Sequence, residues 1–292
     1  LGILASLLLT LHIGPSAQTP ARPVSLAVLD FADSTIGRLA SQKLIANLKQ
    51  EAGLLVLDPD QVRAAARGAG YTSSLNLSLS EARNLGAVLG CDFFVLGDAQ
   101  TLRRSPSNES SYFDSYASMF VVSARTGRLL SWERPNFQAA TPAEAEKSLI
   151  SEVSGADVRF RVLRSVRRAQ DHERAARALT IDQQTPVIEA APDDEKAAGT
   201  EGLRMPRAYR RLVPAYPETA ASAEAEASVD VLVDLDAGGE VTRVEVARWA
   251  GFGLDEATVE TVRQLHFFPA MRNGVAIPMR VLLRYNFRKP AK

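Results

Sequence analysis

Side chains able to do chemistry are few in this chain, and they are scattered. The histidines are His12, His172 and His266, and the one cysteine is Cys91. No two of them have the spacing of a metal-ligand pair, and there is no second cysteine for a disulfide or a zinc site. Gly68-Ala69-Gly70 lacks the further glycine of a phosphate-cradling loop. No serine sits in a nucleophile elbow. Cys91 begins a strongly apolar run and reads as a small packed hydrophobe. His266, before Phe267-Phe268, reads as a packed or rim histidine. Asp234 and Asp236 alternate out of a strand and read as solvated acids. These readings predict a protein that is not an enzyme and has no cofactor and no metal. What is left is recognition, and that depends on the elements that present it.

The most organised stretch is 214–287. Val229, Val231, Val233 and Leu235 alternate with polar residues, the pattern of a half-buried strand. Asp236-Ala237-Gly238-Gly239 supplies the turn, because a tight hairpin needs residues that accept positive φ. A second short run follows at Val244 and Val246. Over 254–265, Leu254, Ala257, Thr258, Val262 and Leu265 fall at helical spacing. Asp255 and Glu256 lie in that helix's first turn, where negative charge is favoured. Asn273-Gly274 turns the chain again. The last run places Met279, Val281, Leu283, Tyr285 and Phe287 on one face and Arg280, Arg284, Asn286 and Arg288 on the other, with Leu282 as the exception.

Taken in order, Tyr216-Pro217, Leu235-Asp236 to Gly239, Gly251 with Leu254-Asp255, and Phe268-Pro269-Ala270 with Asn273-Gly274 resemble the C-terminal domain of TonB-family energy transducers. The resemblance covers about the last quarter of the chain, and its strength lies in the joint order and spacing. Ala250 stands where the family usually has a serine before the glycine. The resemblance implies a three-stranded antiparallel sheet with helices. It also implies binding to the plug or N-terminal segment of an outer-membrane TonB-dependent transporter, or to another envelope protein. A transducer would in addition engage a proton-driven ExbB/ExbD-like motor; a homodimer is left open. The expected mechanism is strand addition, in which an extended peptide pairs with the edge of the last strand and main-chain hydrogen bonds give the affinity. The candidate partner-binding residues are Tyr216, Pro217, Arg280, Val281, Leu282, Leu283, Arg284, Tyr285, Asn286 and Phe287. Arg280, Arg284 and Arg288 would attract an acidic peptide, or else form an ordinary solvated face.

The 292 residues suffice for about two domains, and 46% apolar content lets both bury cores. The 34 basic and 34 acidic side chains cancel, which argues against a nucleic-acid partner. Residues 1–20 are read as a signal peptide or a truncated anchor. The apolar run 1–13 is too short to span a bilayer and suits the core of a secretory signal, with small residues before a cleavage point after Ala17. Ser6 and His12 are six apart, which does not match the transducer anchor pattern. The expected location is periplasmic and exported, or inner-membrane anchored if the segment stays.

Residues 24–155 alternate strands and helices and predict an α/β unit, so the whole chain reads as α+β with two domains. Asp58-Pro59-Asp60-Gln61, Ser78-Leu79-Ser80-Glu81 and Thr141-Pro142-Ala143-Glu144 each look like a helix start, and Gly90 like a helix stop. The run 112–122 and the run 129–137 predict an antiparallel pair, with Thr126-Gly127 in the turn and a polar connection over 103–111 before it. Leu26-Ala27-Val28-Leu29-Asp30-Phe31, Ser80-Glu81-Ala82, Leu89-Gly90-Cys91-Asp92 and Ala124-Arg125-Thr126-Gly127 resemble the periplasmic modules of the CsgG and TolB N-terminal kind. That resemblance implies binding or assembly rather than catalysis. Residues 156–180 form an expected basic helix, with seven arginines over 159–177 and a stripe of Phe160, Leu163, Val166 and Ala169. It reads either as the closing helix of the first unit or as a surface for anionic lipid or wall polymer. Residues 181–202 read as a polar linker before a domain at 203–290, reaching at most about 70 Å at ~3.3 Å per residue. A short reach and the unmatched anchor pattern favour the alternative of an envelope scaffold with a docking domain and no motor.

Overall fold

The structure is a computed structural model that describes residues 23–105, 110–179, 188–191 and 202–289. The export segment at 1–20, part of the 103–111 connection and most of the expected linker lie outside the described residues.

The first unit runs β1 (Val24–Val28), α1 (Thr35–Leu48), β2 (Leu54–Val56), α2 (Pro59–Gly68), α3 (Leu79–Leu89), β3 (Phe93–Arg104), β4 (Tyr112–Ser123), β5 (Leu129–Glu133), β6 (Asn136–Ala139), α4 (Pro142–Val153) and α5 (Ala156–Leu179). Its sheet has the order β2-β1-β3-β4-β5, with β6 also on β4. β1 is parallel to β2 and β3, and the remaining pairs are antiparallel. The expected single strand over 129–137 is two strands, separated at Arg134-Pro135; proline has no N–H to continue a ladder.

Helix starts follow the local chemistry. Ser78 and Glu81 form a reciprocal capping box, and Asp58 accepts from the Asp60 and Gln61 N–H groups. Thr141 accepts from the Glu144 N–H, and α3 ends at Gly90 in the left-handed region.

Both faces of this sheet are covered, and the pleat decides what covers each. Leu26, Val28, Phe93, Val95, Met119 and Val121 face α1, α4 and α5. Ala27, Leu29, Phe94, Leu96, Phe120 and Val122 face the other way, toward α2, α3 and the second unit. α5 docks through Val158, Val162, Val166 and Ala169. The expected stripe is therefore corrected at one position: Phe160 is 61% exposed, because the helix presents Val158 and Val162 to the sheet instead. Several arginines of α5 are tied to the first unit: Arg159 donates to Asn47 and Gln50, Arg161 to Glu133 and Glu152, and Arg167 to Glu51.

The second unit contains β7 (Leu203–Arg204), β8 (Arg207–Ala208), α6 (Glu218–Ala223), β9 (Ala227–Leu235), β10 (Val241–Arg248), α7 (Leu254–Arg263), β11 (Phe267–Phe268), β12 (Ala270–Arg272), β13 (Val275–Ile277) and β14 (Met279–Phe287). Its main sheet has three antiparallel strands in the order β10-β9-β14, as expected. Val229, Val231, Val233 and Leu235 are buried in the same cluster as Leu254 and Val262 of α7. At the β9–β10 turn, Asp236 accepts from the Gly238 and Glu240 N–H groups, and Gly239 adopts φ +86. A Cβ on Gly239 would lie 2.0 Å from the Phe267 carbonyl oxygen, so the turn requires glycine twice over.

The two units share one core. Phe120 packs against Trp249 and Phe252 at centroid distances of 5.9 and 5.5 Å, and Trp132 lies 5.3 Å from Phe252. Asn76 stitches the boundary: its amide donates to the Ser228 and Trp249 carbonyls at 2.8 and 2.7 Å and accepts from the Ser228 N–H at 3.1 Å. No helix among the described residues is long and apolar enough to cross a membrane.

Candidate functional site

β14 is paired along its whole length with β9 on one side, from Met279 opposite Leu235 to Phe287 opposite Ala227. On its other side no named strand pairs with it among the described residues. In a strand, the N–H and C=O of one residue point to the same side, and successive residues alternate. Arg280 turns its main-chain groups away from β9, since both bond to the segment 189–191 described below. By the same alternation, Leu282, Arg284 and Asn286 direct their main-chain groups to the open edge. A nine-residue edge of this kind is a template for an added strand.

The side chains of β14 follow the expected alternation. Met279, Val281 and Phe287 are buried, while Leu282, Arg284 and Asn286 are exposed. The arginines, however, are engaged. Arg280 grips both Asp234 carboxylate oxygens at 2.5 and 2.8 Å, and Arg284 grips both of Asp230 at 2.6 and 2.8 Å. Each pair stands directly across the ladder. β10 adds a second guanidinium to each row: Arg243 stands opposite Asp234, and Arg248 lies 3.5 Å from Asp230. The expectation that Asp234 is solvated is corrected: it is 4% exposed, roofed by the guanidinium of Arg280. The hydrogen bonds from Arg280 hold its carboxyl below the ordinary carboxylate range, against the opposing effect of burial. Arg280 and Arg284 are thus committed within the sheet, and Arg288 is exposed.

Tyr216 meets β14 at its far end. Its hydroxyl donates to the Ala225 carbonyl at 2.7 Å, and its ring lies 6.4 Å from Phe287. Pro217 precedes α6 as its N-cap residue. The ten sequence-predicted residues therefore fall on one strand and the loop at its end.

Sequence reasoning missed the occupant of the first rung. Glu189 accepts from the Arg280 N–H at 2.7 Å, and the Ala191 N–H donates to the Arg280 carbonyl at 2.8 Å. Ala190 forms a parallel bridge with Arg280, and Glu189 forms an ion pair with Arg272 of β12. The signal in the sequence was slight, the β-branched pair Val187-Ile188 between Pro186 and Pro192, and a run that short carries no strand period.

A groove of about 890 Å³ separates β5 from β10 and α7, with Trp132, Val244, Val246 and Trp249 on its walls. Asp255 lies in it and accepts from the Ala250 and Gly251 N–H groups at 2.8 and 2.9 Å. Burial pushes the Asp255 carboxyl up to about 6, despite those two hydrogen bonds. None of the predicted residues lines this groove. Burial likewise pushes the Cys91 thiol up to about 12, so it stays protonated and poorly nucleophilic near neutral pH. His266 is half-exposed and lies 2.8 Å from Glu240 at the rim.

Comparison with known proteins bears on the second unit. Residues 213–288 match the family described as Gram-negative bacterial TonB protein C-terminal. They form a TonB C-terminal-like domain, and the chain is an envelope protein carrying it. A comparison with curated proteins finds no match. Among solved structures, the hypothetical protein CT253 from Chlamydia trachomatis is 14% identical, with 48% of this chain and 97% of that chain covered and a TM-score of 0.34. The TonB C-terminal domain from Pseudomonas aeruginosa is 16% identical, with 37% and 99% covered and a TM-score of 0.27. Lipoprotein GNA1162 from Neisseria meningitidis is 16% identical, with 51% and 99% covered and a TM-score of 0.30.

Proposed function

We propose that this protein binds outer-membrane TonB-dependent transporters in the periplasm, by adding an extended transporter segment to the open edge of β14, in support of energy-coupled transport. The function is binding, without catalysis. The observation that carries the reading is that β14 is nine residues long and paired with β9 on one side, with its other main-chain edge turned outward at Leu282, Arg284 and Asn286. Affinity comes from the main chain, since Arg280 and Arg284 are held by Asp234 and Asp230.

The test uses the direction of one N–H. Leu282→Pro removes a donor from the open edge and none from the β9 ladder, and proline is tolerated in a strand at such a position. Leu282→Ala keeps the donor. Binding of labelled peptides copying the N-terminal segments of transporters from the same envelope is read by fluorescence anisotropy. Binding kept by Leu282→Ala and lost by a folded Leu282→Pro supports strand addition. Equal binding by both variants sinks it.

A second reading, an envelope scaffold that docks partners without a motor, is favoured by one observation. The TonB-like unit shares a core with the first unit, so it is not a head free at the end of a tether. The two readings separate in cells. Crosslinks to a transporter that change when a protonophore collapses the proton gradient indicate an ExbB/ExbD-like motor. Crosslinks that do not change indicate the scaffold.

A further inference from the structure

The first rung of the β14 edge is already filled by this chain itself. We propose that residues 188–191 are an intramolecular occupant of the strand-addition edge, which must leave before a partner peptide can pair along the whole of β14. The inference rests on β14 being the edge where partners add, and it assigns that edge a built-in competitor.

Three contacts define the occupant, and together they copy what an added peptide would do. The Arg280 N–H donates to Glu189, and the Arg280 carbonyl accepts from Ala191, so both outward main-chain groups of that residue are satisfied. The direction is parallel to β14. The Glu189 carboxylate reaches Arg272 on β12, which adds a charged anchor beside the edge. Ala191 also packs against the shared core.

Among the described residues the pairing engages Arg280, and no strand lies on Leu282, Arg284 or Asn286 further along. Two main-chain hydrogen bonds and one exposed ion pair make a weak clamp by themselves. The clamp gains from being in the same chain, because a short tether gives an effective concentration on the order of millimolar. A partner has to outcompete it at Arg280. The chemistry that wins is an extended segment running parallel to β14, with an acidic side chain set to replace Glu189 at Arg272.

The experiment compares the full chain with a Glu189→Ala/Ala191→Pro variant. The alanine deletes the carboxylate, and the proline deletes the N–H that bonds Arg280. Circular dichroism establishes that the variant is folded. The first readout is amide exchange at Arg280, expected to be slow in the wild type and fast in the variant. The second is an NMR titration with a synthetic peptide copying residues 186–192, followed at the Arg280 and Leu282 amides. The variant should bind this peptide about tenfold more tightly than the wild type, since the competing occupant is gone. An Arg280 amide that exchanges equally fast in both proteins overturns the proposal, and so does an equal titration. Transporter peptides that fail to bind either protein would sink the function proposed above and leave this pairing standing, because neither readout uses them.

Discussion

The Trp249 indole N–H donates to the Gly127 carbonyl at 3.0 Å, across 122 residues of sequence and across the boundary between the two units. Trp249 is 2% exposed, and its ring stacks on Phe120 of the first sheet. A buried indole that satisfies its one donor on the neighbouring unit is a packing anchor rather than a surface contact. The TonB-like unit is therefore held at the end of β10, opposite the β14 edge in the sheet order.

Trp249→Ala should cost about 3–5 kcal/mol, the usual range for deleting a buried large aromatic. The other tryptophan, Trp132, lies at the same boundary against Phe252 and reports on it by fluorescence. In urea, the wild type should lose Trp132 fluorescence and helical dichroism together. In the variant the fluorescence should change at lower urea than the dichroism. Coincident transitions at the wild-type midpoint would show that the units do not depend on a common core.

Gly251→Ala should destabilise by about 1–3 kcal/mol, from two causes at one position. Gly251 has φ +73, and a Cβ there would lie 2.5 Å from Phe120 Cε1. Gly274→Ala separates the causes, since Gly274 has φ +84 with open space around it. The measured loss should be larger at Gly251 than at Gly274. Equal losses would mean that backbone strain accounts for both and that Phe120 yields freely.

The parts of this structure legible in the sequence are those decided by nearby residues. Ser78 and Glu81 meet across one turn, so their capping box could be read directly. The alternation in β9 and β14 exposed their core face for the same reason, and the order of turns and strands carried the TonB-like resemblance. The burial of Asp230 and Asp234 was not legible. It depends on Arg284 and Arg280 arriving opposite them, 54 and 46 residues later. An aspartate on a polar strand face looks the same whether water or a guanidinium covers it. The shared core was hidden too, because Trp249 and Phe120 look like ordinary core residues of separate units. Phe160 was misplaced because a helix with several apolar residues leaves its buried stripe ambiguous by one step.

Asp255 gives the protein a pH dependence of unusual sign. Burial raises its folded-state pKa to about 6, from an unfolded value of about 3.9. Between those values the unfolded chain has released the proton while the folded chain keeps it. Stability therefore falls as pH rises from about 4 to about 6, and it levels off above. A carbon-13 titration of the Asp255 carboxyl should show a midpoint near 6. Urea midpoints should decline over the same window and lose that decline in Asp255→Ser. A midpoint near 4 would mean that the Ala250 and Gly251 N–H groups outweigh burial.

Asp234 acts in the opposite direction. Arg280 holds its folded-state carboxyl below the unfolded value, so its contribution is fully present above about pH 3.9 and is lost as pH falls through the folded pKa. Asp234→Asn should remove part of the acid-side loss of stability, and it should cost about 1–3 kcal/mol at pH 7 because Arg280 is left without its charge partner. Asp234→Leu/Arg280→Leu should cost less than either single change, since it leaves no unpaired charge on the sheet face. The same double variant bears on function. Its main-chain edge is intact and its arginine is gone. If transporter peptides bind it as they bind the wild type, hydrogen bonding along β14 carries recognition. If binding falls as far as it does in Leu282→Pro, the Arg280 side chain is part of the contact, and its bond to Asp234 must open when the partner arrives.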